Sequence, residues 1–267
     1  WLQATESGDR AELNLNGPIE NSIWMRLSAE DEDCTTENCL KRTGGICPFF
    51  RVRQAAQNAH ILIVNHALLL ADVATGNKVL PEYEYLIVDE AHHLEDATTN
   101  ALSFRVTLAD LERALAILGS SGAGILAWLS SVMKEVLPPS DYASVNHLVE
   151  KATDVAFRLQ HLSRQFFQSI DHFLIEQRDG RPVGMYSHQE RIIAATRTQP
   201  AWAFVEQAWD ETQGTLSTLL DLLAKLIQAV TETMDEMAEE DEDLHGSLLN
   251  LYRRLDEFQN NTNALVF

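Results

Sequence analysis

The chain has 267 residues, of which 45% are hydrophobic and 22% are charged, and its formal net charge at pH 7 is −20. This length allows one large domain or two modest ones. The acidic balance argues against a self-sufficient DNA-binding protein, because contacts to phosphates need a basic surface. No run of about 18 apolar residues occurs, so we expect no membrane span, and no charged-then-apolar signal sequence opens the chain. These features predict a soluble, cytoplasmic protein.

Three cysteines, Cys34, Cys39 and Cys47, follow one another with the spacing Cys-x4-Cys-x7-Cys and are called here the cysteine set. An odd number of thiols is a poor disulfide framework but a plausible metal or cluster set in a reducing compartment. Iron–sulfur clusters are typically held by four thiolates, and zinc sites by four Cys or His ligands. The residues alone leave three alternatives: an iron–sulfur site, a zinc site completed by a histidine, or three unligated thiols.

Four basic residues surround the last of these cysteines: Lys41, Arg42, Arg51 and Arg53, called here the basic set. In a chain this acidic, a local cluster of positive charge is where phosphate contacts are expected. The alternative is a group of solvated side chains.

Two short apolar runs predict β-strands. Residues 60–64 and Tyr85–Val88 are rich in β-branched and aromatic side chains, which is typical of strands that are buried on both faces of a parallel sheet. A helix over residues 51–59 precedes the first run, and Asn65 and His66 follow it. We interpret His66 as a hydrogen-bonded core histidine in preference to a catalytic one.

Two acids, Asp89 and Glu90, come directly after the second predicted strand. In open α/β sheets, ligands bind at the carboxyl ends of the strands. A carboxylate pair there suits nucleotide hydrolysis, because one acid can hold Mg²⁺ while its neighbour polarises the attacking water. The alternative is that acids are common in loops and at helix starts, where the helix dipole favours them.

The neighbouring His92 and His93 invite a metal-site interpretation, which the spacing argues against. No HExxH pattern occurs, and adjacent residues on a helix point about 100° apart. We therefore predict no metal site here and assign His93 no role. No G-x-x-x-x-G-K-[ST] phosphate-binding loop occurs in the sequence either, so the chain lacks the lysine and amides that hold a triphosphate.

Helical patterns dominate the rest of the chain. Apolar residues recur every three or four positions, and Thr107, Pro139 and Pro200 stand near helix boundaries. Two long helices with short connections should lie antiparallel. The predicted elements are a helix from Thr107 to Leu118, a helix over 125–136, a helix of some 50 Å from Ser140 or Asp141, a hairpin of 183–186 with 192–196, a helix from Pro200 to about Met237, and a helix over 244–258.

The order Asp89, Glu90, Ala91 and His92 resembles the DEAH box, which is motif II of the superfamily 2 helicases. The cysteine set and the sequence ILIVNHALLL at 61–70 resemble one branch of that superfamily, the iron–sulfur helicases of the DinG and XPD type. In that family a cluster domain precedes motif II, and a helical Arch domain is inserted after it. The chain keeps this order along nearly its whole length.

This resemblance implies a mainly α fold with a small α/β part, in which an Arch-like helical domain is inserted in a partial RecA-like parallel sheet beside an iron–sulfur region. The implied domains are the cluster region at 1–50, a partial helicase domain 1 at 51–100 and the Arch-like domain at 101–267. The implied function is a segment of an ATP-dependent DNA helicase, usually 5′ to 3′ in this family.

The resemblance also assigns roles to individual residues. Asp89 would bind Mg²⁺, Glu90 would activate water, and His92 would relay the nucleotide state. The cysteine set would supply three ligands of a 4Fe–4S cluster whose first cysteine lies upstream. ATP, DNA and the remaining helicase domains would be the partners, and the segment alone should not hydrolyse ATP. The rival hypothesis is a non-catalytic acidic helical module with a metal- or redox-sensitive cysteine loop.

Overall fold

A computed structural model describes residues 8–13, 17, 20, 24, 46–74, 79–119, 122–178, 190–234, 237, 241 and 243–267. Four predicted site residues lie outside this part of the chain: Cys34, Cys39, Lys41 and Arg42. The chain divides into two compact units, 1–104 and 105–267. No helix in the described ranges is both long and apolar enough to cross a lipid bilayer.

The first unit contains short helices joined by extended stretches. Its described helices are α1 (Pro48–Gln57), α2 (His66–Ala74) and α3 (Leu94–Leu102), with 3₁₀ turns at Arg10–Glu12 and Ala91–His93. Helix α1 begins three residues earlier than the sequence predicts, because Pro48 suits the first turn of a helix, where its missing N–H costs no hydrogen bond.

The prediction of two β-strands is wrong for the described residues, which contain no β-strand. Residues 61–65 and 85–88 lie outside any helix or strand, and no backbone hydrogen bonds join them. Their apolar side chains are exposed, to 96% for Ile63 and 93% for Ile87. A strand is stabilised by neighbours on its edges and faces. The apolar pattern that suggested strands is present, but the described residues do not form the backbone hydrogen bonds that would pair two strands.

The second unit is a helical bundle. Its described helices are α4 (Leu108–Leu118), α5 (Ile125–Val136), α6 (Pro139–Gln177), α7 (Ala194–Arg197), α8 (Pro200–Thr233) and α9 (Asp243–Val266). The predicted N-cap of α4 is confirmed, because the hydroxyl oxygen of Thr107 accepts a hydrogen bond from the Asp110 N–H at 3.1 Å. The bounds predicted for α5 are also confirmed.

Glycines make the turn between α4 and α5. Gly119 has φ 87° and Gly124 has φ 91°, a region that side chains with a β-carbon rarely adopt. A β-carbon on either residue would also collide with the backbone of the other side of the turn. The turn therefore requires glycine at both positions.

The two long helices α6 and α8 run antiparallel, as predicted. The Phe166 and Trp209 rings lie 5.1 Å apart and the Phe173 and Trp202 rings 5.0 Å apart, so that the numbering rises on one helix as it falls on the other. Helix α6 has 39 residues and is about 58 Å long. Helix α8 begins at Pro200 as predicted and ends at Thr233, short of Met237.

Two predictions near the end of the chain are wrong. The segment 192–196 forms no hairpin strand, because residues from Ala194 onward turn into the short helix α7; the segment 183–186 lies outside the described residues. Helix α9 continues past Phe258 to Val266. Polar side chains sustain its last turns: Asn263 accepts a hydrogen bond from the Trp209 indole at 2.7 Å, and Gln259 donates to Ser217 at 2.7 Å.

Candidate functional site

Two extended stretches of the first unit, residues 59–65 and 79–89, border an open cleft of about 680 Å³. Residues 59–66 line one part of it and residues 80–89 line another. Most of the lining side chains are apolar, but Asn65, His66 and Asp89 lie where the stretches end. Three polar residues thus lie at the ends of the two stretches, and Gln57, His60, Glu82 and Glu84 line other parts of the cleft.

A hydrogen bond joins the ends of the two stretches. The His66 ring nitrogen Nε2 lies 3.0 Å from the carbonyl oxygen of Asp89, 23 residues further along the chain. A carbonyl only accepts hydrogen bonds, so Nε2 must carry the proton. His66 is hydrogen-bonded, as predicted, but it is half-buried beside the acids and does not lie in a core.

Helix α2 also holds the beginning of the second stretch. The carboxylate of Asp72 is 1% exposed, and its Oδ1 accepts hydrogen bonds from the N–H groups of Val79 at 2.8 Å and Leu80 at 2.9 Å. The side chain of Asn65 caps the same helix by accepting from the Leu68 N–H at 2.8 Å. The segment 79–89 is thus fixed to α2 at both ends, through Asp72 and His66.

Asp89 and Glu90 are both exposed at the end of this segment. Asp89 Oδ1 accepts a hydrogen bond from the Glu90 N–H at 2.9 Å. Glu90 has φ 49° and ψ 42°, which is the left-handed conformation that costs a residue with a β-carbon about 1–2 kcal/mol. The hydrogen bond that the Glu90 N–H donates to the Asp89 carboxylate offsets part of that cost and helps to hold the Glu90 backbone in this conformation.

The prediction that His92 and His93 point apart is wrong. Both belong to the 3₁₀ turn Ala91–His93, and their ring centroids are 4.0 Å apart with an interplanar angle of 42°. His92 Nδ1 lies 3.4 Å from Glu90 Oε2. Ligand atoms of Glu90, His92 and His93 all lie within 4.8 Å of one another, and all three residues are exposed. Sequence spacing alone gave no signal for this grouping, because it depends on the conformation of Glu90.

The described members of the cysteine set and the basic set lie at or on α1. Cys47 is a half-buried free thiol directly before the helix. Arg51 and Arg53 are two positions apart on α1, so their side chains leave the helix about 200° apart. The Arg53 guanidinium lies 5.8 Å from the centre of the Phe49 ring. These two arginines do not share one face, and the rest of both sets lies outside the described residues.

Part of the chain matches a known protein family. The DEAD_2 family matches residues 27–111, a range that includes the cysteine set, α2, Asp89 and Glu90. The predicted resemblance to helicases of the DinG and XPD type is therefore confirmed.

The individual relatives carry the name DinG. The chain is 31% identical over 179 residues to the 3′-5′ exonuclease DinG of Bacillus subtilis. The aligned region covers 65% of the chain and 18% of that protein. It is 36% identical over 112 residues to the ATP-dependent helicase DinG of Mycobacterium tuberculosis, covering 42% of the chain and 16% of that protein. It is 38% identical over 86 residues to the ATP-dependent DNA helicase DinG of Salmonella typhimurium. That aligned region covers 32% of the chain and 12% of that protein. The chain thus spans less than a fifth of these relatives. No solved structure matches it.

Proposed function

We propose that the chain is the cluster, DEAH-box and helical portion of an ATP-dependent DNA helicase of the DinG/XPD type. The observation that carries this proposal is the His66–Asp89 hydrogen bond, which brings the ends of two apolar stretches together at the acidic pair. In parallel sheets such strand ends form the ligand-binding edge. The exposed apolar side chains of both stretches support a partial RecA-like sheet that is completed by other strands of a longer protein.

Asp89 and Glu90 divide the chemistry of ATP hydrolysis between them. Carboxylate oxygens are the donors that Mg²⁺ prefers, so the donor set fits a magnesium ion, which would supply positive charge against the charge that develops on the phosphates. Asp89 would hold that ion, and Glu90 would orient and deprotonate the attacking water. The exposure of both carboxylates supports these roles, because neither is used up in an internal ion pair with a lysine or arginine in the described residues.

His66 and His92 act around this acidic pair. The bond from His66 to the Asp89 carbonyl fixes the backbone from which the magnesium-binding carboxylate projects. His92, with Nδ1 3.4 Å from Glu90, is close enough to respond to the state of the catalytic base and to relay it to a second motor domain. His66 is therefore a positioning residue and His92 a coupling residue.

The cysteine set supplies three ligands of a 4Fe–4S cluster in this proposal. A cluster needs a fourth thiolate, which the sequence does not contain. In this proposal the basic set contacts DNA phosphates beside the cluster. The enzyme moves along DNA in the 5′ to 3′ direction, and it works in the cytoplasm. The family match over residues 27–111 supports the cluster assignment, because it includes all three cysteines.

The helical unit is the counterpart of the Arch domain in this proposal. Its position directly after the DEAH box and its entirely helical described elements support that assignment. The chain alone does not hydrolyse ATP, because it has no phosphate-binding loop to hold the triphosphate.

DNA-stimulated ATPase activity tests the proposal. A longer protein that adds the upstream phosphate-binding loop is purified anaerobically, analysed for iron and sulfide, and assayed beside this chain. We expect activity in the longer protein only, and a loss of at least about a hundredfold in its Asp89→Asn variant, because Mg²⁺ loses a charged ligand. The matched control is Asp96→Asn, an exposed acid on α3, which should leave the rate unchanged.

The net charge of −20 favours a second candidate, an acidic module that binds a protein partner and uses the cysteine loop as a redox sensor. It predicts that the longer protein has no DNA-stimulated ATPase activity and that the chain binds a protein partner tightly. If Asp89→Asn leaves the DNA-stimulated ATPase activity of the longer protein unchanged, the proposed role of the acidic pair is rejected.

A further inference from the structure

We propose that Glu90, His92 and His93 form a binding site for a divalent transition metal such as Zn²⁺ or Co²⁺. This site differs from the magnesium site proposed for Asp89 in its ligands, because it takes two imidazoles and one carboxylate. His93, which has no role in the proposed hydrolysis, becomes a ligand.

The grouping of the three side chains carries the proposal. One ligand atom from each lies within 4.8 Å of the other two, and Glu90 Oε2 lies 3.4 Å from His92 Nδ1. Around tetrahedral zinc, with bonds of about 2.0–2.1 Å, neighbouring ligand atoms are about 3.4 Å apart. Side-chain rotations that move the atoms by about 1 Å are therefore enough to close the site. All three side chains are exposed and have room to make that movement.

The backbone directs the Glu90 carboxylate to the histidines. Glu90 is the one residue other than glycine with a positive φ among the described residues, at 49°, and the Asp89 carboxylate holds its N–H at 2.9 Å. The 3₁₀ turn that follows then keeps the two imidazoles adjacent, with centroids 4.0 Å apart. The site is thus assembled by five consecutive residues, 89–93, and does not depend on the packing of distant segments.

The ligand chemistry selects the metal. Imidazole nitrogens suit zinc, cobalt, nickel and copper, whereas magnesium takes oxygen ligands. A set of two histidines and one carboxylate leaves coordination positions open for water or for a phosphate oxygen. The site therefore discriminates against the ion that the acidic pair uses.

Occupancy of this site has a regulatory consequence, which rests on the proposed function. The metal would take the carboxylate of Glu90 and the ring of His92 away from water activation and coupling. A transition metal should therefore inhibit Mg²⁺-dependent ATP hydrolysis of the longer protein, and removal of His93 should relieve the inhibition without removing a residue that hydrolysis uses.

Metal binding is measured on the untagged chain itself and needs no ATPase activity. The cysteine set is first replaced in a background variant, C34S/C39S/C47S, because thiolates bind the same metals. Titration with Co²⁺, followed by visible absorbance and by competition with Zn²⁺, should give one equivalent per chain with no sulfur-to-metal charge-transfer band. His93→Ala and Glu90→Gln should each weaken binding at least about tenfold, the lower end of what loss of a supporting ligand contact costs.

The control is His60→Ala, another exposed histidine of the first unit, which should leave the titration unchanged. Circular dichroism checks that each variant keeps its helices, and His92→Ala repeats the test at a second ligand. The proposal is overturned if the background variant binds no Co²⁺, or if His93→Ala and His92→Ala bind as tightly as their parent. A failed ATPase assay with intact metal binding would reject the helicase assignment alone.

Discussion

The two units of the chain are stabilised in different ways. All buried hydrophobic residues in the described ranges, except Leu69, lie in the helical unit 105–267. The first unit instead exposes Ile61, Ile63, Tyr85 and Ile87, each by more than 80%. Burial of one such side chain contributes about 1.5–3 kcal/mol. The helical unit gains this contribution many times, and these four exposed side chains of the first unit gain little of it.

This contrast separates a unit with an extensive hydrophobic core from one with little buried apolar surface in the described residues. The helical unit has aromatic pairs, capped helices and paired polar groups, which are features of a self-contained core. The order of segment 79–89 comes from a few polar contacts to α2, through His66 and Asp72. The candidate site thus lies in the unit with the smaller described core, which accords with the low stability of many ligand-binding elements.

The largest effect should follow from a change in the helical core. Trp209 is fully buried, packs on Phe166 and donates a hydrogen bond to Asn263. Trp209→Ala should lower the free energy of unfolding by about 3–5 kcal/mol, measured by urea denaturation with far-UV circular dichroism. The control is Phe157→Ala on α6, where the side chain is 78% exposed and the cost should stay within about 0.5 kcal/mol. Equal costs for the two variants would contradict the assignment of the core.

A smaller, local effect should follow from loss of the His66 hydrogen bond. His66→Ala should raise amide hydrogen exchange of residues 85–90 by several-fold to about tenfold, because a net hydrogen bond contributes about 0.5–1.5 kcal/mol. Exchange in α8 should not change. His66→Gln keeps an N–H donor of similar reach and should restore protection. If Gln and Ala behave alike, the ring acts by packing and not through its bond to Asp89.

The longer helices of the second unit could be predicted because their signals are local. Periodic apolar residues, the cap at Thr107 and the proline at Pro200 each act within one or two turns of helix. The end of α9 was missed because Gln259 and Asn263 are polar residues of the kind that often mark a helix end. Their partners Ser217 and Trp209 lie more than 40 residues away, and no local pattern reveals them.

The candidate site was predicted in part for the same reason. Asp89, Glu90 and His92 were singled out from a contiguous motif, and they lie within the range that the family matches. The bond from His66 spans 23 residues, and the nearness of His93 to Glu90 depends on a positive φ that is unusual for glutamate. The two strands were predicted from their apolar residues. A strand also needs a neighbouring segment to hydrogen-bond with, and an apolar pattern does not show whether that segment is present.

The smallest effect should come from the exposed stretches, and it measures the contrast between the units directly. Ile63→Ala should change the stability of the chain by no more than about 0.5 kcal/mol, because the side chain is 96% exposed. Leu69→Ala, at the buried position of the first unit, should cost more in the same thermal or urea measurement. In a longer protein with a complete sheet, Ile63→Ala should cost about 2–5 kcal/mol, the usual range for a buried isoleucine.

A cost that is already this large in the present chain would mean that residues 61–65 are covered, and that the first unit has a core of its own. A negligible cost in both proteins would mean that this stretch is not a sheet strand of the longer protein.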